Sequence, residues 1–92
     1  MSVADRIEEK LRQGLSPTRL QVSNDSAAHA GHAGSPGTGE SHFRVLVVSE
    51  RFRGLSRLAR QRLVYQLLAE EMAGPVHALA LVTRTPEEDS QG

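Results

Sequence analysis

The sequence predicts an α+β sandwich, with helices covering one face of a small sheet. Three observations carry this expectation: a four-residue apolar repeat near the start, two alternating apolar runs, and a long helical stripe set between those runs. Residues 2–14 read as a short amphipathic helix. Ser2 with Asp5 makes a capping-box-like start, Val3, Ile7 and Leu11 recur every four residues, and Gly14 followed by Pro17 ends the pattern. Residues 19–23 form a short strand with Leu20 and Val22 on one face. Residues 24–41 carry Gly31, Gly34, Pro36, Gly37 and Gly39 and read as a long glycine-rich loop. Loops beyond about 12–15 residues in compact domains are usually functional or disordered.

Residues 42–48 are the clearest strand, with Phe43, Val45 and Val47 on one face and Leu46 and Val48 on the other. A strand apolar on both faces belongs in the middle of a sheet, covered by helices. Gly54 then breaks the chain, Ser56 is a natural N-cap, and residues 57–73 form the longest helix. Its buried stripe is Leu63, Val64, Leu67, Leu68 and Met72, and Gly74-Pro75 stops it. Residues 76–83 form the last strand, alternating His77, Leu79 and Leu81 against Val76, Ala78, Ala80 and Val82. The order is helix, strand, strand, helix, strand, with room for one further short helical turn before the long helix. Residues 1–86 are expected to make one domain and residues 87–92 a polar, disordered tail.

Composition narrows the function. The 92 residues include no cysteine, so disulfides and thiol chemistry of the chain's own are excluded. Aromatic residues are only 3% of the chain, so Leu, Val and Ala must fill the core. No apolar run approaches the roughly 20 residues that span a bilayer. The charged helical start is unlike a signal peptide, and the chain reads as cytoplasmic. No Ser/His/Asp or Cys/His constellation is present, and an enzyme is not expected.

Two well-separated histidine positions stand out. His29 lies with His32 in the glycine-rich loop, and His77 opens the final apolar run. Imidazole ligates zinc, copper, iron and nickel, but a metal site normally takes three or four protein ligands. With no thiolate available, a metal bound here needs ligands from elsewhere, which points to a site shared at an interface. The plainer alternatives are a structural His77 beside the Gly-Pro turn and solvated loop histidines. His42, flanking Phe43, reads as structural, holding the loop by a hydrogen bond. Net charge is zero, which argues against wholesale nucleic-acid binding. Yet Arg51, Arg53, Arg57, Arg60 and Arg62 fall within twelve residues that hold no acid, and Arg53-Gly54 precedes a helix N-terminus, a natural phosphate site. The alternative there is a solvated face.

Five segments in order, Glu40-Ser41-His42-Phe43-Arg44-Val45, Ser49-Glu50-Arg51-Phe52-Arg53-Gly54-Leu55, Arg60-Gln61-Arg62-Leu63-Val64-Tyr65, Leu68-Ala69-Glu70-Glu71 and Val76-His77-Ala78-Leu79, closely resemble the BolA family. The resemblance implies a class II KH-like sandwich, a three-stranded mixed sheet with helices on one side. It also implies a monothiol glutaredoxin partner, with which the chain, a monomer when alone, forms a heterodimer sharing a [2Fe–2S] cluster. In that reading His77 matches the family's ligand position and His29, after Asn24-Asp25-Ser26-Ala27-Ala28, the variable loop-ligand position, with His32 as the alternative. Glutaredoxin cysteine and glutathione would supply the other ligands, and no cofactor is expected on the isolated chain. The implied role is iron–sulfur trafficking or iron regulation.

The family's other implied activity is DNA-binding transcriptional regulation. Its footprint here would be Arg51, Arg53, Gly54, Arg57, Arg60 and Arg62, although the Gly-x-x-Gly signature of KH domains is missing. A free-standing metal-binding module is a third reading. The chain departs from the family pattern by its added His32 and by a tail that reaches Gly92 without the aromatic that often follows the final strand.

Overall fold

A computed structural model of the chain describes residues 2–25 and 41–91. Helix α1 (Val3–Leu15) leads to β1 (Arg19–Asn24) and β2 (His42–Val48). A 3-10 turn (Glu50–Phe52) precedes α2 (Arg57–Leu67) and α3 (Ala69–Ala73), which return the chain to β3 (Ala78–Arg84) and α4 (Pro86–Gln91). The sheet order is β1-β2-β3, with β1 antiparallel and β3 parallel to the central β2. This is the expected α+β, three-stranded mixed sheet, compatible with a KH-like sandwich, and the short extra helical turn is present. His29 and His32 lie outside the described residues.

Alternation along β2 builds the core. Phe43, Val45 and Val47 are buried on one side. The register carries that face to Leu20 and Val22 on β1 and to Leu79 and Leu81 on β3. Against it pack Val3, Ile7, Leu11 and Leu15 of α1, together with Val64 and Leu68. Four apolar residues spaced by four along α1 make a single stripe, and that stripe is what the sheet buries. The helix starts with the expected capping box: Asp5 N–H donates to Ser2 Oγ at 3.1 Å and Ser2 N–H to the Asp5 carboxylate at 3.2 Å. It runs one residue further than expected and ends on Ser16 in the left-handed region. A Cβ on Gly14 would sit 2.7 Å from Leu67 Cδ2, so any side chain there would make the Leu67 side chain move.

Three expectations are corrected. The helix anticipated over residues 57–73 is bent at Leu68, whose backbone leaves helical values (φ −103°, ψ 21°). Hydrogen bonds Leu68 N–H to Val64 O and Met72 N–H to Leu68 O still bridge the bend. The bend turns Leu68 and Glu71 inward together. The Glu71 side chain is 3% exposed and its carboxylate meets Lys10 of α1 at 2.9 Å, tying α3 to α1. Of the expected stripe, Val64 and Leu68 are fully buried, while Leu63, Leu67 and Met72 lie partly buried against the core.

The final strand begins at Ala78 rather than residue 76, and extends to Arg84. Val76 is buried instead as an anchor, its N–H bonded to Glu71 O at 3.0 Å. Helices α1, α2 and α3 cover one face of the sheet; on the other, Ala78 and Ala80 are exposed and Val82 is 42% exposed. Val48 on that same open face is nonetheless fully buried. It lies in register between Arg19 and Arg84, which Asp89 bridges at 3.1 and 3.3 Å.

The third correction is the tail. The segment expected to be polar and disordered is helical as α4. Its start is a second capping box: Thr85 N–H donates to Glu88 Oε1 at 2.8 Å and Glu88 N–H to Thr85 Oγ1 at 3.3 Å. Pro86 takes the first helical position, where its missing N–H costs nothing. The helix is then held by ion pairs from Glu87 to Arg53, Glu88 to Arg60 and Asp89 to Arg19 and Arg84.

Ser49 joins the same end of the molecule. It is fully buried. Its Oγ donates to Leu15 O at 2.7 Å and accepts from Arg51 N–H at 3.1 Å, and its own N–H donates to Arg84 O at 2.9 Å. It thus satisfies an orphan carbonyl at the end of α1 and caps the 3-10 turn. Replacing Ser49 by Ala is expected to cost about 1–3 kcal/mol in chemical denaturation, because a buried carbonyl and a partly buried N–H lose their partner. Thr18→Ala, which removes one long hydrogen bond of 3.4 Å to Val48 O, should cost much less.

The α4 anchor also predicts a pH dependence. Hydrogen bonding from Arg60, then from the Thr85 backbone, lowers the Glu88 carboxyl from 4.5 to about 2. A folded value below the unfolded one gives stabilisation that is complete above about 4.5 and is lost as pH falls toward about 2. The melting-temperature difference between the parent chain and Glu88→Gln should therefore be constant near neutral pH and close up through that acidic window.

Candidate functional site

Pairing of β2 with both neighbours gathers one set of polar groups at its start. Asp25 N–H, just past β1, donates to His42 O at 2.8 Å. The Ser41 carbonyl accepts from His77 N–H at 2.8 Å and from Ala78 N–H at 3.2 Å. Ser41 is itself buried, and its hydroxyl meets His42 Nδ1 at 2.9 Å. Both anchor points of the glycine-rich loop, Asp25 and Ser41, are thereby fixed beside the residue that opens the final strand. An ion pair from Arg44 to Asp25 at 3.2 Å braces the first of them.

His77 sits one residue ahead of β3 and is exposed, not within a buried strand as the apolar run suggested. The reason is local. Gly74-Pro75 and the Val76 anchor turn the chain, so the ladder with β2 starts only at Ala78 opposite His42. The His77 backbone is clamped while its imidazole faces outward, making no hydrogen bond with the described residues. His42 is partly buried, and its contact with Ser41 fits the structural role read from the sequence. Among the described residues no group of three or more His, Cys, Asp or Glu side chains could hold a metal ion. The described part of this end therefore offers one outward-facing imidazole and no complete site.

The arginine cluster lies at the other end of β2. Seven residues of strand separate the two ends by about 20 Å. The structure divides the cluster. Arg51, Arg57 and Arg62 are exposed and form no ion pair with the described residues. Arg53 pairs with Glu50 at 3.4 Å and with Glu87.

Arg60 is largely buried, its side chain 13% exposed, and structural in character. Its Nε donates to Leu55 O at 3.1 Å, its Nη1 to Glu88 at 2.7 Å, and its guanidinium lies 5.8 Å from the centre of the Phe52 ring. Gly54 has φ +76° with open space where a Cβ would be, so its glycine serves the turn between Phe52 and α2. Arg57 and Arg60 line one wall of an open cleft of about 560 Å³, with Val82 and Arg84 of β3 opposite and Glu88 at the end.

Reading along the sequence missed two members of this end, Arg19 and Arg84, which only the register brings alongside. It also missed that the acidic tail is their partner. That signal was available: Thr85-Pro86-Glu87-Glu88 has an N-cap, a first-turn proline and an N3 carboxylate in the right order.

Comparison with known proteins agrees with this architecture. The sequence profile of the family described as BolA-like protein matches residues 11–88. BolA-like protein 1 of Mus musculus is 56% identical over 80 residues, covering 87% of this chain and 56% of its own length. The chain thus spans a little over half the length of that relative. The DNA-binding transcriptional regulator BolA of Escherichia coli (strain K12) is 49% identical over 88 residues, covering 96% of this chain and 80% of the regulator. The solved structure of BolA1 from Arabidopsis thaliana superposes with a TM-score of 0.86 at 44% identity, over 96% of both chains. No helix of the described residues is long and apolar enough to cross a membrane. This chain belongs to the BolA-like protein family.

Proposed function

We propose that the chain is a non-enzymatic adaptor that pairs with a monothiol glutaredoxin and contributes histidine ligands to a shared [2Fe–2S] cluster, in iron–sulfur trafficking or iron regulation. The observation that carries this reading is His77: an exposed imidazole on a backbone clamped by two hydrogen bonds to Ser41, at the end of the sheet where the glycine-rich loop leaves and returns. His29 is four residues beyond Asp25, so covalent geometry alone keeps its Cα within about 14 Å of that anchor. The donor set fits half of a cluster and no more. Histidine can replace cysteine on one iron of a [2Fe–2S] unit, while the other iron takes thiolates, which this chain lacks. When bound, such a cluster supplies one-electron chemistry on a core that exchange can pass on. The chain's own residues would position two neutral imidazoles and leave the thiolate side to glutaredoxin and glutathione.

A second reading, DNA-binding regulation through the arginine end, is favoured by the regulator of Escherichia coli (strain K12) that this chain resembles. Because the arginine end is about 20 Å from His77, the two readings are separable by mutation.

Anaerobic reconstitution tests the first reading. The isolated chain should hold no stable cluster, whereas the chain with a monothiol glutaredoxin and glutathione should give a coloured heterodimer. A stable cluster on the isolated chain would falsify the shared site.

Substitutions then assign the ligands. His77→Ala should weaken or alter the visible spectrum most, and His29→Ala should change it. His42→Ala should mainly lower the melting temperature, and His32→Ala should matter little. A spectrum that responds to the His32 change and not to the His29 change would move the loop ligand by three residues.

A further inference from the structure

Helix α4 is six residues long, buries none of them, and still reaches four arginines from four different parts of the chain. Glu87 takes Arg53 from the loop ahead of α2, Glu88 takes Arg60 of α2, and Asp89 takes both Arg19 of β1 and Arg84 of β3. Three consecutive carboxylates thus occupy a surface on which Arg57 is the remaining nearby cation lining the cleft. With them in place the arginine end keeps only the positive charge of the exposed Arg51, Arg57 and Arg62, which form no ion pair with the described residues. Without them it would be among the most positive surfaces on a chain whose net charge is zero.

The attachment is electrostatic. The Arg53–Glu87 pair is about half exposed on both sides and Glu88 is 48% exposed, whereas Arg60 and Asp89 are only 13% and 19% exposed and hold the helix more firmly. Exposed pairs contribute little each and weaken with salt. A ligand carrying many regularly spaced anions could replace all three carboxylates at once. A phosphate backbone is such a ligand, and its binding is strengthened by counterion release.

We propose that α4 is a built-in cover over an arginine surface for duplex DNA, and that DNA reaches Arg19, Arg53, Arg60 and Arg84 only by displacing Glu87, Glu88 and Asp89. This rests on the DNA-binding reading above, and adds to it a competitor carried in the same chain and two arginines from the sheet. The exposed arginines Arg51, Arg57 and Arg62 make the first contacts, and α4 sets how far binding proceeds beyond them.

The test compares full-length chains on one duplex across a salt series. The triple variant Glu87→Gln, Glu88→Gln, Asp89→Asn is set against the parent. A control, Glu8→Gln, Glu9→Gln, Glu70→Gln, makes the same change in formal charge on α1 and α3. The α4 variant should bind at least about tenfold more tightly than the parent at low salt. Its log–log salt slope should be steeper by about 3–4, at roughly 0.9 for each of the four arginines that recovers a phosphate contact. The control should stay near the parent in both respects.

If the α4 variant binds no better than the parent, or the control gains as much, the cover is overturned. Where parent and α4 variant both bind equally, the DNA reading survives without it; where neither binds at low salt, both fall. Should the triple variant melt below the assay temperature, Glu87→Gln alone carries the test. It leaves the Thr85–Glu88 capping box and the Arg60–Glu88 pair intact, and should steepen the slope by about one unit. An unchanged slope in that variant overturns the proposal. Cluster formation with glutaredoxin, measured on the same proteins, should be unaffected by either triple change.

Discussion

Two different neighbours hydrogen-bond to β2, and that double pairing decides where everything else in the molecule lies. An antiparallel β1 can be joined to β2 by a loop that leaves and returns at the same end of the sheet. A parallel β3 cannot, and needs a crossover, which α2 and α3 supply. The two connections therefore meet at opposite ends of one strand. The loop anchors Asp25 and Ser41 and His77, just ahead of β3, share the first end. The start of β1 at Arg19, the end of β3 at Arg84, the turn carrying Arg53 and the capped α4 share the second. Burial of Phe43, Val45 and Val47 under the helices fixes the register, because a slip by one residue would turn all three to the open face.

Much of this was legible before the structure, for reasons that can be named. The bounds of β2 came out as read because alternation with a buried face leaves little freedom at either end. Helix α1 was legible from spacing by four together with the Ser2–Asp5 cap. The bend at Leu68 was not, because an apolar stripe with period near 3.6 continues through it and records only that both sides face the core. The start of β3 was read two residues early: Val76 and His77 keep the alternation of the strand, but a Gly-Pro turn and the Val76–Glu71 bond hold them outside the ladder. The tail was read by its polarity rather than by its capping residues, so α4 went unseen, and with it the partners of Arg53 and Arg60. Arg19 and Arg84 are 65 positions apart in sequence and join through register alone.

The histidine end was legible in part. Composition alone excluded thiolate ligands from this chain, so the thiolate side of an iron–sulfur cluster would have to come from outside it. What the fold adds is an exposed imidazole on a fixed backbone, beside both roots of the loop that carries the other candidate histidines. His29 and His32 themselves lie outside the described residues, so the choice between them rests on family resemblance. In the proposed arrangement one ligand would stand at the root of β3, one on the loop and the rest on a partner, which would suit assembly and release better than permanent storage. Separation of the two ends also means that a partner at His77 and a polyanion at α4 need not compete for surface.

The central claim is that imidazole from this chain ligates an iron of a cluster held jointly with glutaredoxin. Its most direct test is pulsed electron paramagnetic resonance on the reduced complex, assembled from this chain labelled with 15N-histidine and unlabelled glutaredoxin. Directly bound 15N nuclei should appear as strongly coupled nitrogens, and the coupling should be reduced when the labelled chain carries His77→Ala. A reduced cluster in the same complex with no strongly coupled 15N would place every ligand on the partner side and contradict the account.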